Sequence, residues 1–180
     1  GVIIEAPKAA RIDFAAKSIT GALTVTAKDA TTEFHAPTLS YTGLGATITS
    51  NEAHFNKLTQ FGGNTSISAV AVAFPELSKN ASGTLTLSKA TAFAGPKFVP
   101  TSNVIATKAT TFSFKSGSDS VLSLPAVTTL TIDALGTTTN FDTTGYTTLV
   151  TLNVTGAQGK APFISTVTNT LTVVGATKLT

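Results

Sequence analysis

Leu124-Pro-Ala-Val127-Thr-Thr-Leu130-Thr-Ile132 places apolar side chains at intervals of three, three and two, and closes on an apolar-Thr-apolar strand. Tyr146-Thr-Thr-Leu149-Val-Thr-Leu152-Asn-Val154 repeats the frame. The last apolar residues of such strands along the chain are Val25, Ile48, Ile67, Leu87, Phe114, Ile132, Val154 and Val173, spaced by 23, 19, 20, 27, 18, 22 and 19 residues. Units of this length, each too small to close a core alone, have the period of a solenoid. The expected fold is a mostly β, right-handed solenoid of about eight coils, either leucine-rich-repeat-like or a parallel β-helix, with one Thr/Ser-rich parallel sheet face. Residues 1–180 are read as a single domain.

Each unit opens on a large apolar residue: Phe14, Phe34, Phe55, Phe74, Phe98, Leu124, Tyr146 and Phe163. The strand that follows carries an inward pair: Leu23/Val25, Ala46/Ile48, Thr65/Ile67, Leu85/Leu87, Phe112/Phe114, Leu130/Ile132, Leu152/Val154 and Leu171/Val173. Alternation with period two in Thr, Val, Ile and Phe marks a half-buried strand. Prolines 37, 75, 96, 100, 125 and 162 fall outside these strands, where a missing N–H costs no ladder bond. The widest interval holds Ala94-Gly-Pro-Lys-Phe-Val-Pro100 and is expected to bulge as a loop.

Charged residues make up 12% of the chain and threonine supplies 36 of its 180 residues, so uncharged hydroxyls do the solvating. The lysines are scattered from Lys8 to Lys178 and form no nucleic-acid stripe. Cys is absent, which rules out disulfides and thiolate metal sites. The most apolar stretch, Ile67 to Phe74, is too short to span a bilayer. The start at Gly1 and the short tail after the last strand lead to the expectation that the chain is part of a longer exported protein, joined to a membrane only through an anchor or partner outside this segment.

The frame Leu124-x2-Val127-x2-Leu130-x-Ile132, with the openings Phe74-Pro-Glu-Leu77 and Leu124-Pro-Ala-Val127, resembles the leucine-rich-repeat surface proteins of Bacteroidetes, the BspA-like and receptor-L-domain-like group. The resemblance implies an exported cell-surface protein, lipoproteins among the forms it takes, used for adhesion or ligand capture.

The outward residue between each inward pair gives a file of hydroxyl and amide side chains: Thr24, Thr47, Ser66, Thr86, Ser113, Thr131, Asn153 and Thr172. Strand propensity alone favours Thr at such positions, and cross-strand Thr pairs stabilise a solvated face. As a site, the file is the candidate ligand-binding face for an extracellular glycan or surface protein. Thr-x-Thr pairs at 24/26, 47/49, 84/86, 129/131 and 170/172 also resemble the array of ice-binding β-solenoids. Glu33-Phe-His35 and Glu52-Ala-His54, about one coil apart, offer two carboxylates and two imidazoles as candidate metal ligands, or simply solvated charges in turns.

No Gly-x-Ser-x-Gly elbow or phosphate-binding loop occurs, and the nine acidic residues are dispersed along the sequence. No cofactor is expected. Asp119-Ser-Val121 and Asp142-Thr-Thr144 resemble Bacteroidetes O-glycosylation sites, making Ser120 and Thr143 candidates. Asn64, Asn80 and Asn153 head N-glycosylation sequons. The expected function is a non-enzymatic cell-surface binding, adhesion or structural module. An ice-binding protein and a polysaccharide-active β-helix enzyme are the alternatives.

Overall fold

A computed structural model describes residues 1–80, 82–115, 121–133, 146–155 and 170–174. The chain winds as a right-handed parallel β-solenoid, every strand pair among the described residues being parallel.

The first sheet stacks β1 (Val2–Ala6), β4 (Leu23–Ala27), β7 (Ala46–Thr49), β10 (Thr65–Ser68), β13 (Leu85–Leu87), β15 (Val104–Ile105) and β17 (Leu122–Ser123) in that order. The second holds β2 (Arg11–Asp13), β5 (Glu33–His35), β8 (Glu52–His54) and β11 (Ala71–Ala73). The third holds the short strands β3 (Ser18–Ile19), β6 (Tyr41–Thr42), β9 (Gln60–Phe61) and β12 (Lys79–Asn80). Set against β11, a fourth sheet begins at β14 (Ala92–Gly95) and continues through β16 (Thr111–Phe114), β18 (Thr129–Asp133), β19 (Thr151–Thr155) and β20 (Thr170–Val174). One turn of the early solenoid therefore visits three sheets, because each coil contains two further alternating segments besides the one carrying the Thr file.

Inward side chains stack coil on coil. Leu23, Ala46, Thr65 and Leu85 share one rung of the first sheet, and Val25, Ile48, Ile67 and Leu87 the next, all buried. Phenylalanines form a ladder through the core: Phe14, Phe34, Phe55, Phe74, Phe93 and Phe112 follow one another with ring centroids 4.6 to 6.3 Å apart. Burying a side chain of this size is worth about 1.5–3 kcal/mol, and the ladder distributes that gain over every junction. The ladder runs through Phe93 in place of Phe98, which packs edge-on against Phe93 at 5.5 Å.

Thr65, the one polar residue in an inward pair, is 2% exposed yet satisfied: its hydroxyl accepts from Ala46 N–H and donates to the Gly63 carbonyl. The corner from the third sheet back to the first brings backbone against backbone. Gly45 adopts a φ of 86° there, and a Cβ would lie 2.1 Å from the Asn64 carbonyl oxygen, so only glycine fits. Between Pro96 and Phe98 the chain makes a tight turn closed by Phe98 N–H to Gly95 O, and Phe98 is fully buried, so this part of the widest interval belongs to the stack instead of bulging from it.

Candidate binding faces

The expected single file of eight outward residues is divided between two sheets. Thr24, Thr47, Ser66 and Thr86 stand in register on the first sheet. Beyond Thr86 the partner is Ile105 and then Ser123, not Ser113. Ser113, Thr131 and Asn153 form a second file on the fourth sheet, which starts opposite Ala94, and Thr172 is the next register partner, on β20. The physical reason lies in the winding. Ile105 follows Thr86 by one coil on the same sheet, whereas Ser113 lies farther along that coil, past the corner and on the next face.

Corner and face hydroxyls differ in what they bond. At the corners Thr20, Ser88, Thr91 and Thr107 have no side-chain partner among the described residues, but other hydroxyls are spent on the backbone of the preceding coil: Ser40 donates to Lys17 O, Thr59 to Ser40 O, Ser78 to Thr59 O, Thr110 to Thr91 O and Thr128 to Thr110 O. On the faces they are not. Among the described residues the hydroxyls of Thr24, Thr47, Ser66, Thr86 and Ser113 have no protein partner, while Thr131 accepts only a long bond of 3.4 Å from Asn153 Nδ2. A shallow groove of about 310 Å³ lies on the first face between Thr47, Ser66 and Thr86, with Asn64 and Thr84 on its edge. A second, of about 150 Å³, lies on the fourth sheet among Ser113, Thr129 and Thr131.

The Glu-His pairs lie on strands, which corrects their expected place in turns. β5 and β8 put Glu33 opposite Glu52 and His35 opposite His54 on the outer side of the second sheet, around buried Phe34 and Ala53. Each imidazole Nε2 turns to the glutamate of its own strand at 2.9 Å, and the two rings stack. That arrangement aims the nitrogens along the strands instead of at a common point. Among the described residues no group of three or more His, Asp or Glu is placed to hold a metal ion. Arg11 and Asp13 extend the ladder on β2 and pair with each other at 2.8 Å.

The described carboxylates are largely engaged locally. Asp13 faces Arg11, Asp29 accepts from the Thr31 N–H and hydroxyl, Glu33 and Glu52 face histidines, and Glu76 pairs with Lys97 one coil on. The Arg11 hydrogen bond holds the Asp13 carboxyl below its ordinary value, and the Thr31 N–H does the same for Asp29.

Of the sequon asparagines, Asn80 is buried at 1% exposure and its Nδ2 donates to the carbonyls of Gly83, Ser102 and Asn103. Its amide has no room for a glycan. Asn64 is exposed, and its Oδ1 accepts from Thr84 N–H. Ser120 and Thr143 lie outside the described residues. Comparison with protein-family models, with curated proteins and with solved structures finds no match to the chain.

Proposed function

We propose that this chain is a non-enzymatic binding module of an exported cell-surface protein, and that its two outward hydroxyl files are its contact surfaces for extracellular glycan or a surface protein. One observation carries the reading: among the described residues the face hydroxyls of Thr24, Thr47, Ser66, Thr86 and Ser113 stand without protein partners, whereas the corner hydroxyls of Ser40, Thr59, Ser78 and Thr110 are taken up by the coil-to-coil backbone. Hydroxyls in register along a parallel sheet offer many equivalent weak contacts, which suits a repetitive partner better than one small molecule. Local engagement of Asp13, Asp29, Glu33, Glu52 and Glu76 supports binding over hydrolysis, which needs two carboxylates facing one bond. Membership of the bacterial leucine-rich-repeat-like surface group is part of the proposal and rests on the apolar frame at Leu124 to Ile132.

A glycan array, run beside a pull-down from surface-protein extracts, tests the reading. Capture that falls when Thr47 and Thr86 are replaced together by bulky residues supports it, and capture indifferent to both files removes it. Ice-recrystallisation inhibition lost on the same substitutions would replace adhesion with ice binding. The interruption of the first file by Ile105 weighs against an ice-matching plane, because it halves the unbroken lattice.

A further inference from the structure

The corner between the first and second sheets changes length from coil to coil. Five residues, 28–32, join β4 to β5, while only two, 50–51, join β7 to β8 and two, 69–70, join β10 to β11. The corner after β13 lengthens again to four residues, 88–91, before β14. Two short corners between two long ones make a saddle, and the structure has a cavity of about 410 Å³ there, within the usual range for small-ligand sites.

The lining is chemically mixed in a particular way. Lys28 comes from one wall and Lys89 from the other, both exposed and neither in an ion pair among the described residues. By contrast, Arg11 and Lys97 elsewhere on the surface each have a carboxylate. On the floor, Val70 is 45% exposed and offers an apolar patch, and Asn51 presents an amide that no protein group engages among the described residues. Asp29 stands beside Lys28 with one oxygen occupied by Thr31, leaving the other to accept.

We propose that this saddle binds an acidic saccharide unit, an inference that rests on the glycan arm of the proposed function. A pyranose ring bearing a carboxylate or sulfate matches each part: the anion meets Lys28 and Lys89, ring hydroxyls donate to Asp29 and exchange bonds with Asn51, and the C–H face covers Val70. A simple inorganic anion would leave Val70 and Asn51 unused and would be repelled by Asp29. A neutral sugar would leave both lysines without a partner.

Calorimetric titration of the intact chain with trigalacturonic acid, a sulfated disaccharide and maltotriose tests this. Binding of one or both acidic probes is expected, weakening with added salt and by about tenfold or more in K28A/K89A, as loss of charge-assisted contacts requires. The two acidic probes separate carboxylate from sulfate as the anion recognised. Lys108→Ala, at a different corner, should leave affinity unchanged. Equal affinity for maltotriose, or K28A/K89A binding as the wild type does, overturns the saddle site. If glycan capture survives in K28A/K89A and is lost on substitution of Thr47 and Thr86, the saddle fails and the hydroxyl-face reading stands. Failure of every saccharide to bind overturns the saddle site, while the hydroxyl-face reading stands or falls separately on whether array or pull-down capture depends on Thr47 and Thr86.

Discussion

His35 on β5 and His54 on β8 stack ring on ring, with centroids 4.5 Å apart and planes 18° from parallel, and each directs Nε2 to the glutamate two residues before it. With ionised glutamates as acceptors, the Nε2 protons are donated. The His35 hydrogen bond is the main force holding the Glu33 carboxyl below its ordinary value; desolvation opposes it, and the charges of His35, His54 and Arg11 add to it. A carboxyl depressed on folding contributes stability that is present above its unfolded value, about 4.3, and is lost as pH falls through the folded one. Glu33→Gln should therefore lower stability near neutral pH and flatten the acid limb below pH about 4, as read by denaturant midpoints across pH 3 to 7. An unchanged acid limb would show that the pair contributes nothing to linkage.

Thr42 lies inward on β6 between Ile19 and Phe61, fully buried, and its hydroxyl has no partner among the described residues. A buried hydroxyl without a hydrogen bond costs about 1–3 kcal/mol. Thr42→Val keeps the branched shape and removes the polar atom, so stability should rise by about 1 kcal/mol, visible as a higher denaturant midpoint at unchanged slope. A destabilised variant would mean that a water or neighbouring group serves the hydroxyl.

Asn80 is the opposite case. Its side chain donates to three carbonyls and accepts the Thr101 N–H, tying β12 to the next coil. Asn80→Ala removes bonds to one buried and three part-buried backbone groups at once and should cost about 2 kcal/mol. In a glycosylating host, peptide mapping should find Asn80 bare even though its sequon is intact, while exposed Asn64 remains open to modification.

These cases show what the sequence made legible. Apolar spacing identified the inward pairs and the coil period, because stacking demands the same side-chain class at each rung. It did not show which sheet a unit faces. Phe74-Pro-Glu-Leu77 and Leu124-Pro-Ala-Val127 both close a turn, from Leu77 N–H to Phe74 O and from Val127 N–H to Leu124 O. The first turn leaves the second sheet, however, and the second leads into the fourth. Aligning them as equivalent merges two faces into one, and the spacing of 27 between Leu87 and Phe114 was the visible sign of the change. The second sheet was legible in Arg11-Ile-Asp13, Glu33-Phe-His35 and Glu52-Ala-His54, each polar-apolar-polar, but three residues are a faint signal for a strand. The Lys28 and Lys89 saddle was not legible, since it depends on corner lengths that become comparable only after the coils are stacked.

Division of the hydroxyl file makes its halves separable by mutation. Thr24, Thr47, Ser66 and Thr86 are neighbours in one register, and Ser113, Thr131, Asn153 and Thr172 in another, with Ile105 and Ser123 continuing the first sheet where the sequence-ordered file would have run on. Contacts that gain strength by repetition add within a continuous surface and not across an interruption. Single replacements at Thr86 or Thr131 should each weaken capture of a repetitive glycan or protein partner only slightly. Replacing Thr47, Ser66 and Thr86 together should weaken it by about a hundredfold if the first sheet is the contact, while the matching triple at Ser113, Thr131 and Asn153 leaves it nearly intact, or the reverse if the fourth sheet is used. Surface capture on an immobilised partner distinguishes these outcomes. Equal partial losses from both triples would mean that the partner wraps around the solenoid and engages both faces. Indifference to both would reduce the face hydroxyls to solvation of the sheets.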